Sequence, residues 1–374
     1  MPEATVRNAD LLKPEVIRNQ MVDKADQIER IEMGDGQQYA SAMSEFPLIN
    51  LDNPTEHYYT YDGATARMHP TSYDAESPTG EIDLPSKEDI TIQSYKEKFN
   101  PQKGVETHLS GISPGAFSRA VSKLQLKIFF TREQIAWRGD EAVDGLIGQF
   151  GGSAHPDIDS DHVIDVATAW SDSANATPYD DVTSLAFEIV NNGYLGGNQQ
   201  VLPNIYMGAE TLRDLKQTDD MEDRLPSTNY QQVTSEALAN LITENVNNIL
   251  PVMVYAPRED ADGNFIDANG NEVDDAGNAA MDNILEPYDP SSGTVQRNVV
   301  IGRPGASSAF FPWFLDRLQE REGEVPGDMS IDPNNGFFTQ VWNSPDPIAT
   351  YLAAKQEVGF TIQRGENWAL LRGV

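Results

Sequence analysis

Apolar side chains recur at three- and four-residue spacing through Phe117, Val121, Leu124 and Ile128, and the same face resumes at Ile135. This pattern predicts an amphipathic helix. Ser113 is a good N-cap and Pro114 suits the first turn, so the helix is expected over 114–139. At the standard rise it would span about 39 Å, longer than the usual globular helix. Residues 1–44 read as an arm with one helix: Pro14 opens it, Ile17, Met21, Ile28 and Ile31 fall near one face, and Gly34 and Gly36 end it. Residues 45–96 lack helical periodicity. They are punctuated by Pro47, Pro54, Pro70, Pro78 and Pro85, with extended stretches at His57–Tyr61 and Asp89–Ile92. The expectation there is a long loop of two strands that goes out and comes back.

From 161 to 343 short strands alternate with helices. Strands are expected at Val163–Val166, Asn204–Met207 and Pro251–Tyr255, and helices at Asp180–Val190, 209–216 and 235–249, the last through Leu238, Leu241, Ile242 and Ile249. This is the pattern of an α+β or mixed α/β domain. Between them, Asp262-Gly263-Asn264-Phe265-Ile266-Asp267 is echoed by Asn269-Gly270-Asn271-Glu272-Val273-Asp274, and Asn269-Gly270 is a type I′ hairpin signal. The chain closes with Val358–Ile362 and Trp368–Val374, expected as returning strands of a core begun much earlier.

Charge changes this picture. The 374 residues carry 59 Asp and Glu against 26 Lys and Arg, a net charge of -33, and only ten of the basic residues are Lys. Self-repulsion of this size swells a compact domain in dilute buffer, whereas at 1 M salt the Debye length falls to about 3 Å. The surface therefore suits a hypersaline medium. The charge is uneven: Lys87 to Arg138 holds nine basic and five acidic residues, and Arg258 to Asp289 holds one basic and ten acidic. The latter segment, rich in Gly and Asn, reads as a solvent-facing insertion. Arg119, Lys123 and Lys127 are four apart and form a basic stripe on a face of the long helix.

The chain has no cysteine, which excludes disulfides, thiolate metal sites and cysteine nucleophiles. No run approaches a membrane span, and Met1–Thr5 has neither the basic flank nor the apolar stretch of a signal peptide, so a soluble, non-secreted protein is expected. Phosphate-binding loops, dinucleotide fingerprints, nucleophile elbows and paired zinc histidines are all missing from the sequence. Two stretches have metal-binding residue types. His155, Asp157, Asp159, Asp161 and His162 alternate in a way that converges on a cation if the segment is extended. The insertion, with Asp262, Asp267, Asp274 and Asp275, has calcium-loop composition but lacks the twelfth-position Glu of an EF-hand.

At the end of the long helix the sequence runs Ile135-Ala136-Trp137-Arg138-Gly139-Asp140-Glu141-Ala142-Val143-Asp144-Gly145-Leu146-Ile147-Gly148, then His155-Pro156-Asp157-Ile158. Downstream come Ala169–Asp172, Pro178–Val182, Pro203-Asn204-Ile205-Tyr206-Met207-Gly208 and Leu212–Leu215, and at the end Gly359-Phe360-Thr361-Ile362 and Leu371-Arg372-Gly373-Val374. In this order the segments resemble the major capsid proteins of tailed viruses, of Hong Kong 97 type, and the related encapsulins. The motifs cover about 100 residues, and the order of elements covers most of the chain.

The resemblance implies an α+β capsid fold with an N-terminal arm (1–44), an extended loop with peripheral strands (45–96), a peripheral domain (97–160) carrying the spine helix 114–139, an axial domain (161–343) carrying the acidic insertion 258–289, and returning peripheral strands (344–374). It implies a non-enzymatic subunit, without cofactors, assembling into pentamers and hexamers around double-stranded DNA as part of a virion made in the host cytoplasm, with a haloarchaeal virus favoured by the charge. Tyr58, Tyr59 and Tyr61 would bury against a neighbouring subunit, and Arg119, Lys123 and Lys127 would face the packaged DNA. Portal, scaffold and decoration or turret proteins are implied partners, the scaffold a separate protein because the arm is short. The loop 45–85 has no Lys, so a Lys–Asn crosslink from it is not expected. Two rivals stand beside this reading: an encapsulin-like nanocompartment shell, and a cation-dependent halophilic enzyme using His155, Asp157, Asp159 and His162.

Overall fold

The computed structural model of the chain describes residues 40–46, 57–60, 86–89, 92–99, 114–140, 143–148, 154–194, 202–224, 246–260, 264–274, 278–303, 308–312, 328–332, 337–345, 348–362 and 365–374. The chain divides into two units, each assembled from separate stretches: 1–56, 90–149 and 309–361 in the first, and 57–89, 150–308 and 362–374 in the second. The helices are α1 (Ala42–Glu45), α2 (Pro114–Trp137), α3 (Pro178–Tyr194), α4 (Ala209–Gln217) and α5 (Asp219–Arg224). The strands begin with β1 (His57–Thr60), β2 (Ser86–Asp89), β3 (Gln93–Phe99), β4 (Val163–Asp165), β5 (Asn204–Met207), β6 (Asn248–Pro251), β7 (Tyr255–Pro257) and β8 (Met281–Asn283). They continue with β9 (Tyr288–Asp289), β10 (Thr294–Val295), β11 (Asn298–Gly302), β12 (Ser308–Pro312), β13 (Asp328–Asp332), β14 (Phe337–Pro345), β15 (Ile348–Ile362) and β16 (Trp368–Arg372). Among the described residues no helix is long and apolar enough to cross a membrane.

In the first unit α2 is the helix the apolar spacing predicts. Leu124 and Ile135 are buried and Ile128 is half-buried, while the side chains of Phe117 and Val121 lie outside the described residues. The helix stops because Gly139 turns left-handed, at φ 75°. The chain then folds back on the last turn: Leu146 N donates to Ala136 O at 2.9 Å and Ile147 N to Trp137 O at 2.8 Å. This return brings Gly145 against Gly139 so closely that a Cβ on Gly145 would lie 2.1 Å from the Gly139 nitrogen. The two glycines of the Gly139-Asp140 and Gly145-Leu146 pairs are thus required by backbone contact. Asp140 completes the turn, accepting from Val143 N at 2.9 Å and from the Tyr95 hydroxyl. Burial and then the Asp140 carboxylate push the Tyr95 phenol well above its ordinary value.

The sheet of this unit has the order β12-β15-β14-β13, and β3 also pairs with β15. Phe46 packs edge-on to Trp137 at 5.5 Å and to Phe360 at 5.2 Å. Beside them Arg132 and Glu133 are wholly buried. Arg132 Nε donates to Gln356 Oε1 at 2.9 Å, and Glu133 accepts from Ala42 N at 2.7 Å and from Trp137 Nε1 at 2.8 Å. Buried charges of this kind persist only when paired or hydrogen-bonded. Here Glu133 ties α1 to α2, and Arg132 ties α2 to β15.

The second unit is built on a mixed sheet of order β4-β16-β11-β5-β6, with β4–β16 and β5–β6 parallel and the two central pairs antiparallel. Its apolar core gathers Trp170, Ile205, Met207, Ile249, Val299, Ile301, Ala369 and Leu371 from the sheet and the turn before α3. Val182, Leu185, Ala186 and Ile189, the stripe of a core-facing helix, bury α3 against β11 and β16. Gly302 sits where Trp368 crosses it: a Cβ there would lie 2.0 Å from the indole ring. β1 and β2 form a separate antiparallel pair, Tyr58 opposite Glu88 and Tyr59 opposite Lys87.

Several expectations shift. The second strand of the long loop is Ser86–Asp89 rather than Asp89–Ile92, and the strand Gln93–Phe99 follows it. Ile249 belongs to β6 and not to a helix reaching 249, because pairing with β5 buries it at 1% exposure; Leu238, Leu241 and Ile242 lie outside the described residues. The strand expected at Pro251–Tyr255 is split, β6 ending at Pro251 and β7 starting at Tyr255. The arm helix around Pro14 lies outside the described residues.

The β9–β10 hairpin is held by one carboxylate. Asp289 accepts from Ser291 N at 2.8 Å, Ser291 Oγ at 2.6 Å and Gln296 Nε2 at 3.0 Å. The serine hydrogen bonds at 291 and 292 lead in pulling its pKa from 3.8 to about 2. A carboxyl with a depressed folded pKa contributes stability that is present above its unfolded value and lost as pH falls through the folded one. The stability difference between the protein and Asp289→Asn is therefore expected to be constant above about pH 4 and to shrink between pH 3.8 and about 2, read from urea unfolding across that range. A difference that stays flat through the window would show that the hairpin does not depend on the charge.

Candidate functional site

The basic stripe is laid out by α2. Lys123 and Lys127 are exposed on it, and Arg119 lies one turn earlier in the same helix, its side chain outside the described residues. Lys127 is not a free charge: its Nζ lies 2.7 Å from Glu97 Oε1 on β3, both side chains about half in solvent. An exposed pair of this kind contributes about 0–1 kcal/mol, yet it cancels one of the positive charges the spacing suggested. Between β3 and α2 runs a groove of about 410 Å³ whose walls include Lys96, Glu97, Leu124, Lys127 and Ile128. Tyr58 and Tyr59 lie in β1, their side chains outside the described residues, and Tyr61 lies wholly outside them.

The histidine and aspartate run at 155–162 does not converge. His155 and His162 are both buried. His155 Nδ1 accepts from Asp157 N at 3.2 Å, and His162 Nδ1 lies 3.1 Å from Trp368 O, a carbonyl that can only accept, so this nitrogen carries the proton. Asp159 Oδ1 accepts from Asp161 N at 3.1 Å and caps the short 3-10 turn of Ser160–His162. The segment turns instead of extending, and among the described residues no group of three or more His, Asp or Glu is gathered as metal ligands.

The insertion uses its acids for turns. Asp267 accepts from Asn269 N at 2.8 Å and from Asn271 N at 2.9 Å, and these bonds, Asn271 first, pull its carboxyl below the ordinary value. Gly270 N donates to Asp267 O, and Gly270 has φ 81°, so the hairpin is a three-residue loop with a glycine bulge in place of the expected type I′ turn. Asp260 repeats the arrangement, accepting from Asn264 N at 2.8 Å. The sequence in fact holds the Asp-x-x-Gly-Asn pattern three times at a seven-residue period, from Asp260, Asp267 and Asp274. Of the calcium-loop candidates, Asp274 is exposed, and Asp262 and Asp275 lie outside the described residues.

Sequence reasoning missed the charges that anchor this unit. Arg258 reaches Asp282 through Nε at 2.8 Å and Nη2 at 2.7 Å, with its guanidinium 4.4 Å from the Tyr288 ring. Glu286 accepts from Thr211 N at 2.8 Å and Thr211 Oγ1 at 2.7 Å, capping α4 where Gly208 has no side chain to do so. At the start of α3, Asp180 and Asp220 flank Asp181, whose pKa rises through burial, and Arg224 bonds Asp220 at 2.8 Å while lying 4.0 Å over Tyr179. Only Arg224 and Asp220, four apart on α5, have a spacing that marks them; the Arg258–Asp282 and Glu286–Thr211 partners are far apart in sequence, and no spacing rule finds them.

No protein-family model matches the sequence, and no curated protein matches it. Solved structures do. A phage-related protein from Bordetella bronchiseptica RB50 is 11% identical, with 97% of each chain covered and a TM-score of 0.54. The procapsid of satellite phage P4 gives 7% identity over 95% of this chain and 90% of that chain, with a TM-score of 0.48. The SrpI encapsulin complex from Synechococcus elongatus PCC 7942 gives 9% identity, 94% and 95% coverage and a TM-score of 0.46. The likeness to the Bordetella protein, over nearly the whole of both chains, shows a shared fold. With its long helix, its strand-rich first unit and its mixed-sheet second unit, the chain has the α+β capsid fold of Hong Kong 97 type.

Proposed function

We propose that the chain is the subunit of a closed protein shell: the major capsid protein of a tailed virus, assembling as pentamers and hexamers around double-stranded DNA in a high-salt host, most simply a haloarchaeon. The observation that carries this reading is the fold shared with a phage-related protein over 97% of both chains. In this reading the first unit corresponds to the peripheral domain and the second to the axial domain. The four-residue pairing of β1 with β2 is marginal by itself and is expected to rest, with Tyr58, Tyr59 and Tyr61, on a neighbouring subunit. Arg119 and Lys123 face the DNA, with Lys127 contributing less because Glu97 offsets it. No catalysis is assigned. Portal, scaffold and decoration proteins complete the particle, which forms in the host cytoplasm.

The net charge of -33 sets the test. Identical subunits of this charge repel in dilute buffer and stop doing so when the Debye length falls to about 3 Å near 1 M salt. Purified protein is expected to form closed particles or capsomer rings in several molar salt and to fall apart on dilution, as seen by negative-stain electron microscopy. A monomer under both conditions overturns the shell reading. Particles of small, uniform size that enclose protein instead of DNA would identify a nanocompartment.

A further inference from the structure

One stripe of α2 is covered at one end and open at the other. Leu126, Phe130, Glu133 and Trp137 follow one another at spacings of four, three and four, so they share a face of the helix, with Phe129 beside them. Trp137 and Glu133 are wholly buried, Phe129 and Phe130 are half-buried, and Leu126 is 53% exposed. Part of the cover is α1: Ala42 N donates to Glu133 Oε1 at 2.7 Å, and Phe46 packs on Trp137 at 5.5 Å. Going from residue 42 to residue 46 thus follows α2 from 133 to 137. The chain that leads into α1 therefore enters from the side of Phe130 and Leu126. The open end is contiguous apolar surface, whose removal from water is favourable.

We propose that the arm of this same chain, residues 14–31 ahead of α1, covers the open end of the stripe, laying Ile17, Met21, Ile28 and Ile31 on Leu126, Phe129 and Phe130. The inference goes beyond the shell reading and does not depend on it. The path of the chain names the occupant. Arm and helix belong to the same unit. Leu126 lies seven residues before Glu133, about 10 Å along the helix, and the eleven residues from Ile31 to Ala42 extend to as much as about 36 Å. The arm therefore reaches the stripe and presents an apolar face to it. Charge does not oppose the contact: from Lys13 to Arg30 there are four basic and four acidic residues, in a chain of net charge -33. A second copy would bring that whole charge with it, whereas the tethered arm is already present at an effective concentration of about mM.

The lack of native cysteine makes the test direct. Full-length chains carrying Leu126→Cys together with Ile28→Cys or Ile31→Cys are oxidised at low protein concentration in several molar salt, with Asp26→Cys, on the opposite face of the arm, as the comparison. Mixing isotope-labelled with unlabelled chains, then digestion and mass spectrometry, separates disulfides within one chain from disulfides between two. Disulfides within one chain are expected to form about tenfold faster from Ile28→Cys or Ile31→Cys than from Asp26→Cys. Equal rates overturn the proposal, and so do bonds that join labelled to unlabelled chains, which would give the stripe to a neighbouring copy. A second reading needs no disulfide. Leu126→Cys alone is labelled with a bulky maleimide, and adding Ile28→Asp and Ile31→Asp is expected to speed that labelling about tenfold. An unchanged labelling rate also overturns the proposal, and none of these results bears on whether the chain forms shells.

Discussion

Gly145→Ala is expected to disrupt the turn that closes the long helix of the first unit. The new Cβ would lie 2.1 Å from Gly139 N, 2.4 Å from the Arg138 carbonyl carbon and 2.8 Å from Ile135 O, all backbone atoms that no rotamer change can move. Relief requires pulling residues 145–147 off the helix end. That breaks the bonds from Leu146 N to Ala136 O and from Ile147 N to Trp137 O, and draws the buried Leu146 and Ile147 from the core. Overpacking costs about 1–3 kcal/mol when side chains can yield and more when they cannot, so a loss of about 3 kcal/mol or more is expected. Thermal unfolding followed by circular dichroism should show a midpoint lowered by roughly 10 °C. An unchanged midpoint would mean that the two glycines do not need to meet.

The second large effect is expected at Glu133. Its side chain is wholly buried, and its two oxygens satisfy Ala42 N and Trp137 Nε1. Glu133→Ala leaves both donors without that acceptor and opens a cavity beside Phe46 and Trp137, for a combined cost of about 4 kcal/mol. Glu133→Gln keeps one acceptor oxygen and should lose about half as much. Denaturant unfolding gives the totals, and hydrogen exchange at the Ala42 amide locates them, since this amide should lose its protection first. If Ala and Gln variants unfold alike, the carboxylate is not what holds α1.

The sequence displayed some of this architecture and hid the rest for identifiable reasons. The helix Pro114–Trp137 was legible from its apolar spacing and Pro114, and the strand Asn204–Met207 with the helix after it from a sharp change of period. β3 was hidden because Gln93–Phe99 has only Tyr95 and Phe99 among polar and charged residues and so no apolar alternation; the strand exists because β15 offers it a partner more than 250 residues away. Ile249 fitted a helical spacing and was claimed by the sheet. Of the charged surface, the stripe at Arg119, Lys123 and Lys127 could be read from spacing, but its offset by Glu97 could not. The burial of Arg132 depends on Gln356, and no local pattern announces such a pair.

The segmental make-up of the two units dictates when in synthesis each sheet can close. β16 lies between β4 and β11, so the second sheet has a vacancy in its interior until residues 368–372 arrive, and the first sheet lacks its longest strand until residue 362. A nascent chain emerging at about 5–20 residues per second therefore spends most of its synthesis with neither sheet complete. Contacts of such long range are slow to form. Translation and folding are thereby put in sequence: a fragment cut short before β16 leaves the facing edges of β4 and β11 without their shared partner, and only a chain that has reached residue 372 can close both sheets.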